Sequence, residues 1–126
     1  MITPIFASFL GLIFIFLSVR TLRLRRKLKI AVGDSGNVEM LRAIRAHGNF
    51  AEFVPLTLIL IYFVEEAHAP LWFVYVLGSV LTVGRLSHSF GISQVNETFF
   101  FRVFGMACTF ATIFFSAFYL LYSRLF

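Results

Sequence analysis

Four long apolar segments, separated by short polar stretches, occupy nearly the whole of this 126-residue chain. An α-helix needs about 20 residues to cross the hydrocarbon layer of a membrane. Segments close to or above that length lie at residues 2–20, 38–64, 71–88 and 98–122. Because four such spans leave no room for a separate soluble domain, the sequence predicts one all-α domain, an integral membrane four-helix bundle.

The composition also indicates a membrane protein. The chain is 60% hydrophobic with a mean hydropathy of +0.90, whereas soluble domains contain about 45–50% apolar residues. A net charge of +5 would suggest nucleic-acid binding in a soluble protein, but most of the basic residues lie between Arg20 and Lys29, directly after the first span. The positive-inside rule therefore predicts that this stretch is a cytoplasmic loop, from about Thr21 to Val38, with both termini outside.

The second span begins with a stripe of polar side chains. Arg42, Arg45, Asn49 and Glu52 are spaced i, i+3, i+7 and i+10, which places them on one helical face. The uncharged run at 53–64 is too short to cross a membrane alone, so the stripe must enter one leaflet. A charge at the bilayer centre costs about 2.5–3.5 kcal/mol, so the stripe is expected to face protein or a wet cavity. Snorkelling of Arg42 and a structural pair between Glu52 and an arginine are the alternatives.

Further polar residues lie where other spans reach the same side of the membrane. Arg85 and His88 are i, i+3 neighbours near the end of the third span, and Arg102 lies near the start of the fourth. A helix N-terminus favours anions, so a cation held there suggests an anionic ligand, although interfacial anchoring would also explain these residues. The pattern predicts one polar pocket that opens toward the cytoplasm. The three histidines lie on different segments without metal-ligand spacing, so no metal site is predicted.

The stretch RAIRAHGNFAEFVP, residues 42–55, resembles the second-helix signature of the MAPEG family, the membrane-associated proteins in eicosanoid and glutathione metabolism. The stretch GRLSH, residues 84–88, resembles the third-helix motif of the same family. The loop around Gly33 and Asp34, together with Gly105 and Met106, is similar to the bacterial subgroup. The resemblance covers essentially the whole chain and implies a bacterial inner-membrane location.

The resemblance also implies a homotrimer that binds glutathione, its co-substrate, between neighbouring subunits. The matching glutathione-binding positions are Arg42, Arg45, Asn49, Glu52, Arg85 and His88. Among them, Glu52 suits the γ-glutamyl amino group and Arg45 suits a carboxylate. Arg102 matches the catalytic arginine that stabilises the glutathione thiolate. Phe53 and Ile92 stand where several members of the family have tyrosine.

A thiolate is a stronger nucleophile than a thiol, and a nearby arginine favours it. The resemblance therefore implies a glutathione-dependent transferase or peroxidase that acts on lipophilic electrophiles, and no residue distinguishes conjugation from peroxide reduction. The alternative is a non-catalytic membrane protein whose polar stripe binds a lipid headgroup or holds the oligomer together. A transporter fits less well because the polar groups stop at one leaflet.

Overall fold

The computed structural model describes residues 1–126 as four α-helices without strands. These are α1 (Thr3–Leu28), α2 (Val38–Glu66), α3 (Leu71–Ser93) and α4 (Phe99–Leu125). Each helix is long and apolar enough to cross a membrane. The predicted fold class, an all-α membrane bundle of four helices, is therefore confirmed.

Helices α2 and α3 form the centre of the bundle. The most extensive contact is between α3 and α4, whereas α1 packs mainly on α2 and does not touch α4. Leu10, Ile61, Val74 and Leu81 are fully buried in the apolar core between the helices. The end of α1, the start of α2, the end of α3 and the start of α4 lie together. We call this the basic end of the bundle, because it carries most of the arginines.

The basic stretch after the first span is helical, which corrects the prediction of a loop from Thr21 onward. Helix α1 continues to Leu28 and ends where Lys29 adopts a left-handed conformation with φ of 56°. Arginine and lysine are good helix formers, and cations in a last turn interact favourably with the helix dipole. The change in hydropathy at residue 20 therefore marks the edge of the membrane and not the end of the helix. Helix α3 likewise continues to Ser93, past the expected end at residue 88.

Two side chains complete helix ends. Asn37 caps α2, since its side chain accepts a hydrogen bond from the backbone N–H of Met40 at 2.9 Å. At the opposite end of the bundle, the Glu65 carboxylate accepts hydrogen bonds from the backbone N–H groups of Ile2 and Thr3, the latter at 2.9 Å. A carboxylate is favourable at a helix N-terminus. Glu65 therefore joins the end of α2 to the beginning of α1.

Glycines bring α3 and α4 into close contact. A Cβ atom added to Gly105 would lie 2.5 Å from the carbonyl oxygen of Gly84 and 2.6 Å from the Cβ of His88. The two backbones therefore approach each other at a point where only glycine fits. This contact fixes His88, and with it the basic end of α3, against α4.

Gly105→Ala is expected to destabilise the protein by about 1–3 kcal/mol, the usual cost of overpacking. The added methyl group would push α3 away from α4, and a lower unfolding temperature in detergent would report the effect. Gly11→Ala is the matched control, because nothing lies within 4 Å of the Cβ position at Gly11. Equal unfolding temperatures for the Gly105 variant and the wild type would contradict the argument.

Candidate functional site

Arg85 lies at the centre of the candidate site. Its side chain is fully buried, and its Nη1 donates a hydrogen bond to Oδ1 of Asn49 on α2 at 2.8 Å. Its Nη2 lies 3.4 Å from the Met106 sulfur on α4, and its Nε has no hydrogen-bond partner. No carboxylate lies within 4.0 Å of Arg85, since the ion pairs of the chain involve other residues. A buried guanidinium held only by neutral groups leaves a positive charge that the chain does not neutralise.

A second cluster joins α2 to α4 through the segment that precedes α4. Oε1 of Glu97 accepts hydrogen bonds from Nη1 of Arg42 at 3.0 Å and from Nη1 of Arg102 at 2.7 Å. The Glu97 side chain is 5% exposed, whereas that of Arg102 is 37% exposed. Arg42 also donates to the carbonyl oxygen of Ile92 near the end of α3. Glu97 therefore fixes the position of both arginines.

The polar stripe of α2 divides into two rows, which corrects the prediction of one face directed into a pocket of the bundle. Arg42 and Asn49 turn inward to Glu97 and Arg85, respectively. Arg45 and Glu52 lie on the outer surface, where their side chains are 53% and 56% exposed and their charged atoms are 4.0 Å apart. Residues seven apart lie in nearly the same direction, because seven residues fall only slightly short of two full turns. The two pairs differ in direction by roughly 60°, because three residues turn the helix by about 300°.

His88 lies among these charged groups. It is 2% exposed, its Nδ1 has no hydrogen-bond partner, and the charges that act on it belong to Arg85, Arg102, Glu97 and Arg45. Residues from α2, α3 and α4 therefore come together at the basic end. The site residues that the sequence singled out lie in this region, although the structure gives them different exposures and partners.

Beside this cluster, the outer surface of α4 carries a shallow apolar depression of about 310 Å³. It is lined by Arg102, Val103, Met106, Ala107 and Phe110. Phe53 of α2 packs edge-on against Phe110, and its ring centroid lies 5.8 Å from the Arg85 guanidinium carbon. The site therefore combines cations with an apolar surface that faces the membrane, and it is open at the side of the bundle.

Glu97 is not among the residues that the sequence analysis singled out. It lies five residues before Arg102 and reaches Arg42 across 55 positions of sequence, so no helical spacing connects it to either partner. The sequence feature that could have indicated a role for Glu97 is its charge. Glu97 is the only acidic residue between Glu66 and the end of the chain, in a region that carries Arg85 and Arg102.

Comparisons with known proteins identify the family of this chain. The family model described as MAPEG matches residues 3–122. The chain is 34% identical over 113 residues to the inner membrane protein YecN of Escherichia coli strain K12, and the aligned region covers 90% of this chain and 85% of that protein. The YecN protein of Escherichia coli O6:H1 has the same identity and coverage. No solved structure is significantly similar to the chain. The family model and the relatives together show that this integral membrane protein belongs to the MAPEG family.

Proposed function

We propose that this protein is a glutathione-dependent transferase or peroxidase that acts on lipophilic electrophiles. The observation that carries the proposal is the exposed pair of Arg45 and Glu52 beside the buried, unneutralised charge of Arg85. Glutathione has two carboxylates, an amino group and a thiol, so its charges complement a site with several arginines and one exposed glutamate, Glu52. Membership of the MAPEG family supports the same activity.

The depth of Glu52 supports a ligand and a neighbouring subunit at this surface. If Glu66 lies at the edge of the hydrocarbon layer that faces away from the cytoplasm, Glu52 lies about 21 Å from that edge, measured along α2. The hydrocarbon layer is about 30 Å thick, so Glu52 lies about 10 Å inside its cytoplasmic edge. A half-exposed carboxylate at that depth is costly in lipid. We propose a homotrimer in which a neighbouring copy covers this face and the glutathione amino group pairs with Glu52.

Arg102 is our candidate for the residue that stabilises the glutathione thiolate. It is partly exposed at the edge of the apolar depression, whereas Arg85 is fully buried behind Phe53 and Met106. Arg102 can therefore contact a ligand without displacement of core side chains. In this arrangement Arg85 holds Asn49 and supplies positive charge from beneath, while Arg42 and Glu97 hold Arg102 in position.

Glutathione titration of the detergent-purified protein tests the proposal. We expect saturable binding and the ultraviolet absorbance of a bound thiolate. S-methylglutathione, which has no ionisable thiol, is expected to bind without that absorbance. Binding of neither compound would contradict the proposed function and favour the non-catalytic alternative. Binding of glutathione without any thiolate signal would remove the role assigned to Arg102.

Glu52→Gln is expected to lower glutathione affinity about tenfold or more, because a charged hydrogen bond to the amino group is lost. We also expect weaker assembly, since Arg45 loses its only carboxylate neighbour. Calorimetric titration and the oligomer mass in detergent measure the two effects. Glu66→Gln, an exposed position at the other end of α2, is the matched control. A Glu52 variant with normal mass and normal affinity would contradict the assignment.

We further propose an inner-membrane location, as the name of the YecN relatives states for those proteins, with the basic end in the cytoplasm and both termini outside. The concentration of arginine and lysine at the end of α1 supports this orientation.

Labelling of single cysteines in a Cys108→Ala background tests the orientation. Val32→Cys, in the loop after α1, should react only with a reagent that reaches the cytoplasm. Glu66→Cys, at the opposite end of α2, should react with an impermeant reagent added outside intact cells. Labelling of both positions from the same side would contradict the topology.

A further inference from the structure

A second cavity at the basic end takes no part in the proposed reaction. It has a volume of about 280 Å³ and lies between α1, α2 and the end of α3. Its lining residues are Arg20, Arg23, Leu24, Lys27, Glu39, Ala43 and Ser93. The three cations occupy positions i, i+3 and i+7 of α1 and therefore lie on one face of that helix.

The cavity has an excess of positive charge. It contains three cations and one carboxylate, Glu39, for a net charge of +2, and none of the four forms an ion pair within 4.0 Å. Nη1 of Arg20 donates to the Ser93 hydroxyl at 2.7 Å, while Nε of Arg20 is buried without an acceptor. Arg20 is therefore held in place, and Arg23 and Lys27 have no hydrogen-bond partner of their own in the chain.

The position of the cavity along α1 corresponds to the lipid headgroups. Arg20 lies about 26 Å along the helix from Thr3, close to the thickness of the hydrocarbon layer, which is about 30 Å. Arg23 and Lys27 lie about 5 and 10 Å beyond Arg20. Phospholipid phosphates lie at this depth, so the three cations are at the right height to contact one.

The same face of α1 is apolar and exposed below the cations. Phe16 and Phe9 precede Arg23 by one and two heptads, so they lie beneath it on nearly the same side of the helix. Their side chains are 65% and 62% exposed. A molecule with a charged head and a long apolar tail would contact the cations and this surface together, whereas a soluble anion would contact only the cations.

We propose that this cavity binds the phosphate group of an anionic phospholipid, with an acyl chain along Phe16 and Phe9. Arg23 and Lys27 provide two cations that have no partner within the chain, and Arg20, fixed by Ser93, provides the third. The net positive charge favours an anionic headgroup such as phosphatidylglycerol over a zwitterionic one such as phosphatidylcholine. Because the end of α3 forms one wall, the bound lipid would join α1 to α3, whose direct contact is the least extensive among the helix pairs that touch.

Native mass spectrometry of the full chain in detergent, with defined amounts of phosphatidylglycerol or phosphatidylcholine, tests the proposal. We expect one retained phosphatidylglycerol per chain and weaker retention of phosphatidylcholine. Arg23→Gln with Lys27→Gln should weaken phosphatidylglycerol binding about thirtyfold, as expected for two basic residues at a membrane surface. Arg23→Lys with Lys27→Arg keeps both charges and should retain the lipid.

Arg26→Gln with Lys29→Gln is the matched control. It removes the same charge from the same end of α1, but these residues line a different depression, so lipid affinity should fall less than about threefold. Equal losses in both double variants would overturn the proposal by showing only general attraction to the membrane. Full displacement of the lipid by inorganic phosphate would also overturn it, in favour of a soluble anion. Glutathione binding is measured in the same samples. Failure to bind glutathione, with normal binding of phosphatidylglycerol, would contradict the proposed function and leave the lipid site unaffected.

Discussion

Replacement of Arg102 by leucine is expected to slow turnover at neutral pH about tenfold to a hundredfold while glutathione still binds. A free thiol has a pKa of about 8.5, and an arginine that lowers it by about one to two pH units stabilises the thiolate by about 1.4–2.7 kcal/mol. Without Arg102 the bound thiol would be largely protonated at pH 7. Arg45, Asn49 and Glu52 would still hold the tripeptide.

The thiolate absorbance and the pH dependence of turnover distinguish this effect from loss of structure. We expect the Arg102→Leu variant to lose the absorbance at neutral pH and to recover activity as the pH rises toward the pKa of the free thiol. Glu97→Gln should have the opposite effect and increase the thiolate absorbance at neutral pH, because it removes the carboxylate that partly neutralises Arg102. A leucine variant with normal absorbance and turnover would exclude Arg102 and make Arg85 the next candidate.

Replacement of Arg85 by methionine is expected to weaken glutathione binding about thirtyfold or more while the protein remains stable. Truncation of a buried charged residue at an interface costs about 2–5 kcal/mol of binding free energy, and here it would also release Asn49 from its 2.8 Å hydrogen bond. The same change removes an unneutralised buried charge from the fold. Such a charge costs free energy, and replacement by an apolar residue is often neutral or stabilising.

The unfolding temperature and the glutathione affinity should therefore respond differently to this change. We expect the unfolding temperature of Arg85→Met to equal or exceed that of the wild type, and calorimetric titration to show the loss of affinity. Arg85→Lys keeps the charge but lacks the planar fork, so it should retain part of the binding. Wild-type affinity in the methionine variant would show that Arg85 has only a structural role. A large fall in its unfolding temperature would contradict the argument that the charge is held at a cost.

Much of the fold was accessible from the sequence because hydropathy alone determines how many spans cross a membrane. The four spans were predicted in this way. The end of α1 was not, since hydropathy changes at the membrane boundary whereas a basic helix continues to Leu28 in water.

The sequence indicated which polar residues come together at the basic end of the bundle, but not how they contact one another. Spacing on α2 placed Arg45 and Asn49 on the same side of the helix, but a rotation of roughly 60° decides which one contacts Arg85 and which lies outside. Which of the two residues faces inward depends on how α2 packs against α3 and α4, and no local sequence pattern encodes this packing. Glu97 could not be assigned for a similar reason, because its partner Arg42 is close only in the folded chain.

The apolar depression beside Arg102 has a consequence for kinetic measurements. Val103, Met106 and Phe110 line it on the membrane-facing surface of α4, so a lipophilic electrophile that reacts there would arrive by lateral diffusion through the bilayer. The relevant concentration is then the mole fraction of the electrophile in the lipid or detergent phase. At a fixed total amount of electrophile, addition of more detergent or lipid should slow the reaction by surface dilution, while saturation with glutathione should follow its concentration in water.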